Sequence, residues 1–391
     1  MGSARVVGLG KSGLSASRLL VRQGYSVVVS DRASGPALDR VRASLESEGI
    51  TVQLGTDFDP GSIVDRPELV VVSPGVPWDS PGLIRARELG WTVFGEMELA
   101  WRSLPDQPWL AITGTNGKTT TTALTAAIFQ AAGLQAPACG NIGEAACDLA
   151  TARIDRSIRS NQAAQSGPDL DWVVAELSSY QIEAAPTIAP KIALWTTFTP
   201  DHLNRHYTLE NYYNIKASLL ARAEVAIFNG DDPVLRDQAP GQFPEALWTS
   251  VAGRDRLAAH ADRGAWLESG WVVVAGEPIV AAADLRMTGV HNQQNLLMAV
   301  LAARVAGLAP TAIAQAVRDF PGVAHRLEAI GTWQPPDENA PKVTFINDSK
   351  ATNYDAADVG LTAVPGPVIL IAGGEAKAGD DTAWLATIQA K

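Results

Sequence analysis

Cysteine is nearly missing from this chain. Only Cys139 and Cys147 occur, in no metal-binding spacing, and a reducing cytosol is the expected setting. Positive charge is also short. Lys and Arg number 31 against 42 Asp and Glu, a net charge of −11. That balance argues against nucleic acid as the main partner. It also means that a polyanionic substrate must be held by Lys and Arg placed locally. A long apolar run is lacking too. The apolar, uncharged stretch "VGLTAVPGPVILIAGG" holds two prolines and falls short of a membrane span. The opening "ARVVGLG" is too short and too broken by glycine to read as a signal peptide. What remains is an ordinary globular composition, 46% hydrophobic and 19% charged, over 391 residues. That length predicts two or three domains, since single cores seldom grow past roughly 250–300 residues.

Against this background "LAITGTNGKTTTTAL", residues 110–124, stands out. "PWLAI" reads as a buried strand and "TTTTALTAAIFQAAG" as a helix opened by hydroxyls and closed by Gly133. Between them Gly114 and Gly117 allow backbone angles closed to other residues, so N–H groups can approach a ligand. Strand, glycine-rich turn and helix N-terminus make an anion cradle of Gly114, Thr115, Asn116, Gly117, Lys118, Thr119 and Thr120. Lys118 would reach the outer phosphates of a nucleotide and the Thr119 hydroxyl would face Mg²⁺. The spacing departs from G-x-x-x-x-G-K-[ST]: Ile112 holds the first glycine position and the loop is the shorter G-x-x-G-K-T.

The N-terminus reads strand, turn, helix, strand, with Gly8, Gly10 and Gly13 in a G-x-G-x-x-G turn and Asp31 ending the second strand. This looks like half of a dinucleotide fold. By itself the turn fits NAD(P), another nucleotide, or close helix–strand packing. "ELVVVSPGVP" reads as a later strand ending in a turn at Ser73, Pro74 and Gly75. A second α/β unit starts near residue 96 and a third near 323. The third contains "VTFINDSKATN" and "PVILIAGGEAKAGDD", both read as strands ending in charged turns. The polar segment "RIDRSIRSNQAAQSGP" reads as a surface insertion.

Other polar clusters lie at strand ends, where doubly wound sheets place their sites. "ELSSYQI" puts Glu176 and Ser178 past an apolar strand, as Mg²⁺ ligands or as helix caps. "TPDHLNRH" offers His202 as a metal ligand or a substrate contact. Lys216 follows in a helix and alone reads as a surface lysine. "GVHNQQN" sets Asn292 and Asn295 on one helix face, to read an adenine or cap the helix. "AHRLE" supplies Arg326, a bidentate phosphate clamp. "NDSKATN" gathers Asp348, Ser349, Lys350, Thr352 and Asn353.

GTNGKTTT, ELSSYQ, TPDHLNRH, a following helix lysine, GxHNxxN, HR and NDSKATN stand here in the order found in the Mur ligases. The chain resembles that family along its whole length. Within the family, GLGKSGLS, the Ser73–Pro74–Gly75 turn, "GNIG" and "ELSSYQ" resemble the members that add D-glutamate to UDP-N-acetylmuramoyl-L-alanine. The L-alanine-adding members carry His where Asn116 stands. The resemblance implies an α/β chain of three domains. These are a Rossmann-like UDP-sugar domain over 1–95, a P-loop ATPase-like parallel-sheet domain over 96–322 and a Rossmann-like acceptor domain over 323–391. It implies a cytoplasmic, monomeric ligase of peptidoglycan precursor synthesis that uses ATP and two Mg²⁺. Lys216 would be carbamylated by CO₂ and, with Glu176, His202 and Thr119, hold metal. Asn295, Arg326, Asp348 and Lys350 would contact ATP. Asn141, Ser178 and His202 would meet the muramyl substrate, and Ser12, Asp31, Arg32 and the 73–75 turn the uridine diphosphate. Arg32 stands where a hydroxyl residue is expected.

Two rivals have their own features. Folylpolyglutamate synthase lacks a GxGxxG unit ahead of the phosphate loop. An NAD(P)-dependent oxidoreductase would explain GLGKSG and Asp31 but not the phosphate loop or NDSKATN. The end of the chain carries a last expectation. Only two strands are read after 323, and "DDTAWLATIQAK" reads as a helix with no closing glycine. The third domain therefore reads as unfinished, predicting substrate binding with poor ligation of D-glutamate.

Overall fold

The computed structural model describes residues 2–160, 169–257, 259–337, 341–374 and 381–391. It is a mixed α/β chain with parallel sheets. It divides into two compact units, one of residues 1–113, 134–194 and 199–226, the other of 114–133, 195–198 and 227–391.

The first unit opens with a five-stranded sheet. Its strands are β1 (Ser3–Val7), β2 (Ser26–Asp31), β3 (Thr51–Leu54), β4 (Leu69–Val72) and β5 (Val93–Gly95), in the order β3-β2-β1-β4-β5. Every pair is parallel. Valine-rich strands suit such a sheet because β-branched side chains pack well on a pleated, covered surface. Val7, Val70, Val72 and Leu83 form a core under Phe58, Val76, Trp78, Trp91 and Val93. The G-x-G-x-x-G turn has a steric reason. A Cβ on Gly13 would stand 1.9 Å from the Gly8 carbonyl, and Gly8 itself sits at φ 94° against Val76 and Ser73. The helix Lys11–Arg22 can approach the strand only through these glycines.

The same unit carries β6 (Trp109–Thr113), β7 (Ala138–Gly140), β8 (Val173–Glu176) and most of β9 (Ile192–Trp195). β8 lies between β6 and β7, parallel to both. β6, β8 and β9 are buried throughout, as uninterrupted apolar runs require. The segment read as a surface insertion is helical up to Ser160, in Ala146–Ser160. Its remainder, 161–168, lies outside the described residues.

The second unit contains the helix Lys118–Ala131, packed on the helices Val290–Val305 and Pro310–Asp319. Its strands are β10 (Val225–Asn229, whose first two residues belong to the first unit), β11 (Leu247–Ser250), β12 (Ala265–Glu268), β13 (Trp271–Val274) and β14 (Glu277–Ala281). They lie in sequential order, parallel from β10 to β12 and antiparallel from β12 to β14. After residue 323 the pattern changes. β15 (Glu328–Trp333), not read from the sequence, and β16 (Val343–Asn347) form an antiparallel ribbon. "VILI" at 368–371 forms no strand, and Ile369 and Ile371 are 94% and 96% exposed. An extended segment becomes a strand only beside a hydrogen-bonding partner, and β16 pairs with β15 instead. Residues 375–380 of that stretch lie outside the described residues. The terminal helix forms as predicted, over Thr382–Ala390.

Candidate active site

The phosphate loop belongs to the second unit. Gly114 sits at φ 149° and Gly117 at φ 83°. A Cβ on Gly114 would lie 2.0 Å from Thr196 Oγ1, and one on Gly117 2.5 Å from Asn295 Oδ1. No side chain fits at either position. The loop is clamped by a pair of threonines. Thr115 N–H donates to the Thr197 carbonyl at 2.8 Å and Asn116 N–H to Thr197 Oγ1 at 2.8 Å. Thr196 and Thr197 hydroxyls both donate to the Asn116 carbonyl. Beneath them Trp195, Phe198, Phe228 and Trp248 stack in a chain of rings 5.2–5.9 Å apart. Lys118 Nζ donates to the Gly114 and Thr115 carbonyls at 2.9 and 2.8 Å. Thr119 and Thr120 are buried at the helix start.

Asn295 lies under this loop, accepting from Thr121 Oγ1 at 3.2 Å. Asn292 donates to the Thr288 carbonyl at 2.7 Å, tying the helix start to the preceding segment without capping it, and Asn295 packs against the loop. Asn353 caps the helix Tyr354–Ala363 and also reaches Asn116 Oδ1 at 3.4 Å. Asp348 accepts from Leu327 N–H at 3.1 Å, and its carboxyl is raised from the usual range by burial, against the pull of Arg326. Burial and then Arg326 push His291 down to about 4. Lys350 is exposed and its N–H bonds the His325 carbonyl at 3.2 Å. Asn295, Asp348 and Asn353 are thus fixed by side-chain contacts, whereas Lys350 stands exposed at the turn.

The first unit holds the other predicted residues. Asp31 accepts from Leu9 N–H at 2.6 Å and from Ala33 N–H at 2.7 Å, tying the end of β2 to the glycine turn. Ser12 lies in the first turn of the helix Lys11–Arg22, and Arg32 is exposed. Ser73 is buried, its hydroxyl on the Gly8 carbonyl at 3.0 Å and its N–H on the Val7 carbonyl at 2.9 Å. Pro74 is half-buried and Gly75 exposed at the tip of the turn.

Glu176 ends β8 and is 1% exposed. Asn141 donates to its Oε1 at 2.9 Å through the side chain and to its carbonyl at 3.0 Å through the backbone. In register Glu176 faces Ile112, and Thr113 follows in β6. Lys216, also 1% exposed, donates to Thr113 Oγ1 at 3.3 Å. A lysine read alone as superficial is therefore buried beside the strand ends. Ser178 caps the helix Ser179–Glu183 in a capping box with Gln181. His202, at φ 55°, stands 3.5 Å from Asp201 and 5.0 Å from the Tyr180 ring. A ladder of rings runs on through Tyr180, His206 and Tyr212, and Lys216 Nζ lies 4.7 Å over Tyr212. His206 is fully buried with Nε2 on Ser179 Oγ at 2.8 Å, and burial, then Arg205, lowers it to about 4. This ladder was missed by sequence reasoning, as was the Thr196–Thr197 clamp. Consecutive hydroxyls in "TTFTPDH" were the available signal for the clamp.

Residues 3–95 match the Mur ligase MurD-like N-terminal domain and residues 112–303 the Mur ligase middle domain. Curated relatives match the whole chain. UDP-N-acetylmuramoylalanine–D-glutamate ligase of Trichormus variabilis is 58% identical over 395 residues, which cover 100% of this chain and 81% of the relative. The enzyme of the same name from Synechococcus elongatus is 58% identical over 399 residues, 100% of this chain and 82% of the relative. The chain belongs to the UDP-N-acetylmuramoylalanine–D-glutamate ligase family. Among solved structures, UDP-N-acetylmuramate–alanine ligase from Thermotoga maritima aligns over 93% of this chain and 77% of its own, with TM-score 0.55 at 20% identity. A UDP-N-acetylmuramate:L-alanyl-gamma-D-glutamyl-meso-diaminopimelate ligase from Neisseria meningitides aligns over 83% of this chain and 99% of its own, with TM-score 0.56 at 17% identity. These two share the fold of the D-glutamate ligase family. No helix among the described residues is long and apolar enough to cross a membrane.

Proposed function

We propose that this member of the family ligates D-glutamate to UDP-N-acetylmuramoyl-L-alanine at the expense of ATP, in cytoplasmic peptidoglycan precursor synthesis. The observation that carries the reading is the phosphate loop. Its two side-chain-free glycines, its threonine clamp and its lysine are built for a polyphosphate. A carboxylate is a poor electrophile. Its oxygen takes the γ-phosphoryl group of ATP, giving an acyl phosphate and ADP. The amine of D-glutamate then attacks the acyl carbon, and phosphate leaves from the tetrahedral intermediate. Lys118 neutralises charge on the transferring group, and the loop N–H groups orient it. Asn295, Arg326, Asp348 and Lys350 hold the nucleotide, with Asp348 at the ribose. Ser12, Asp31, Arg32 and the 73–75 turn take the uridine diphosphate; Asn141, Ser178 and His202 take the muramyl arm. The domains are 1–95, 96–322 and 323–391, and the working form is a monomer.

Mg²⁺ and the carbamate fit the residues present. Among the described residues no group of three His, Cys, Asp or Glu is ready to hold a cation. Glu176 and His202 alone are too few, and an anionic carbamate on the buried Lys216 supplies a further hard ligand. Thr119 is the hydroxyl ligand from the loop. The metal supplies Lewis-acid charge neutralisation when bound. The test is phosphate release from ATP with UDP-N-acetylmuramoyl-L-alanine, scanned across amino-acid acceptors. Release dependent on D-glutamate supports the reading; release with another acceptor in its place overturns it.

A further inference from the structure

The short helix Leu203–His206 is bounded by His202 at φ 55° and Tyr207 at φ 65°. Non-glycine residues rarely adopt this conformation, and they keep it only where the surroundings impose it. Three anchors impose it here. His206 bonds Ser179. The Tyr207 hydroxyl donates to Asp79 Oδ2. Arg205, whose side chain is 15% exposed, donates to Glu183 Oε2 at 2.7 Å and stands 3.8 Å from Asp79 Oδ1. Its guanidinium also lies 5.9 Å over the Tyr180 ring. Arg87 completes the cluster, stacked on Trp78 and donating to the Trp78 carbonyl at 2.9 Å.

These partners come from three separate places. Asp79 follows the Ser73–Pro74–Gly75 turn of the first sheet. Glu183 ends the helix that begins after Glu176 and Ser178. Arg205 follows His202. The same residues line one cavity: Ser73, Pro74, Trp78, Tyr180, Gln181 and Arg205 all face it. We propose that Arg205 is a positioning residue that fixes, through Glu183 and Asp79, the span between the 73–75 turn and His202. The inference rests on the reading above, in which that turn takes the diphosphate end of the substrate and His202 the muramyl end. A substrate gripped at both ends binds well only if the two grips are held at one separation. Ser73 is tied to Gly8 and Val7 independently of Arg205, so loss of the arginine leaves the turn in place and, with the exposed Tyr207–Asp79 bond remaining, loosens its distance to His202.

Calorimetry on the 391-residue chain tests this with two ligands: UDP, which meets one grip, and UDP-N-acetylmuramoyl-L-alanine, which meets both. The wild type binds the full substrate more tightly than UDP. Arg205→Ala reduces that advantage about tenfold, the scale of a lost hydrogen bond between charged groups. It changes UDP affinity by less than about twofold, because the 73–75 turn keeps its own ties to Gly8 and Val7. Arg205→Lys, which keeps the charge but not the two-pronged fork, falls between. Asp79→Asn is near-isosteric at a half-exposed position and decides the matter if Arg205→Ala fails to fold; it lowers the advantage with UDP binding unchanged. An advantage that survives both Arg205→Ala and Asp79→Asn overturns the clamp alone. Equal losses on UDP and the full substrate also overturn it, since they mark general damage. A wild type that shows no preference for the full substrate overturns the site reading and the clamp together.

Discussion

Strands β6 and β16 begin from similar sequence and end in opposite surroundings. "WLAIT" and "VTFIN" are both apolar, and both lead into a polar turn and then a helix. Every residue of β6 is buried, whereas β16 is exposed except for a half-buried last residue. The composition of the strands does not explain this. β6 lies between β8 and β9, parallel to β8, while among the described residues β16 pairs with β15 alone, in an antiparallel ribbon. An apolar run states a preference for extended backbone; whether it becomes dry depends on covering elements far away in sequence. The turns differ accordingly. The one after β6 is clamped by Thr196 and Thr197, and the one after β16 holds an exposed Ser349 and Lys350.

If that difference governs function, the largest effect belongs to the clamped turn. Lys118→Ala should lower D-glutamate-dependent phosphate release by roughly 10²-fold or more, with an unchanged circular dichroism spectrum. Retention of more than about a tenth of the activity, far above such a loss, would break the assignment. Lys216→Ala should be comparably damaging, with partial recovery in a small carboxylic acid that replaces the carbamate. Full activity in CO₂-free buffer would remove the carbamate.

Stability sharpens the contrast directly. Ile112→Ala in β6 should cost about 2–5 kcal/mol, because a dry, packed site cannot collapse around the cavity. Ile346→Ala in β16, where the side chain is 42% exposed, should cost less than about 1 kcal/mol. Urea midpoints measured side by side decide it, and equal shifts would refute the argument.

A buried carboxylate gives a pH form of the comparison. Glu96 is 2% exposed and its pKa is raised by burial to about 7, against the Cys147 N–H that donates to it at 2.8 Å. The folded state therefore holds a proton that the unfolded state releases near 4.5. Stability falls as pH rises between those values and levels off above about 7, by at most about 3 kcal/mol. Glu96→Gln should flatten that slope in thermal melts between pH 5 and 8, keeping an acceptor for Cys147. An unaltered slope would mean that another group titrates there. The smallest effect concerns Glu176→Gln, which should raise the Mg²⁺ concentration needed for half-maximal turnover by several-fold.

The local elements around both glycine turns were legible in the sequence, because glycine positions, apolar runs and helix starts are encoded within a few residues. Gly13 and Gly117 are required by contacts the motif already implies. The position of Glu176 past an apolar strand was legible for the same reason; Asn141 at the end of the neighbouring strand was not, since it entered only through the family resemblance. The burial of Lys216 was not legible from its own helix alone: Tyr212 lies one turn before it, but Thr113 arrives from a strand about a hundred residues earlier. The antiparallel strands β12 to β14, adjacent in sequence, were not read as strands at all. The contacts of Arg205 and the ring ladder were missed because Asp79, Glu183 and Tyr180 lie in distant segments. "VILI" was misread for a related reason: its composition suits a strand, but no neighbouring strand pairs with it among the described residues.

Lys118 Nζ is held by the carbonyls of Gly114 and Thr115 within its own loop. An arriving anion must therefore compete with acceptors already at hand. A single phosphate offers few contacts in exchange, whereas on the reading proposed above a polyphosphate would engage several N–H groups of the helix start at once, those of Thr115 and Asn116 being held by Thr197. On that reading the loop would work as a threshold, yielding the lysine only to a ligand that brings several contacts together.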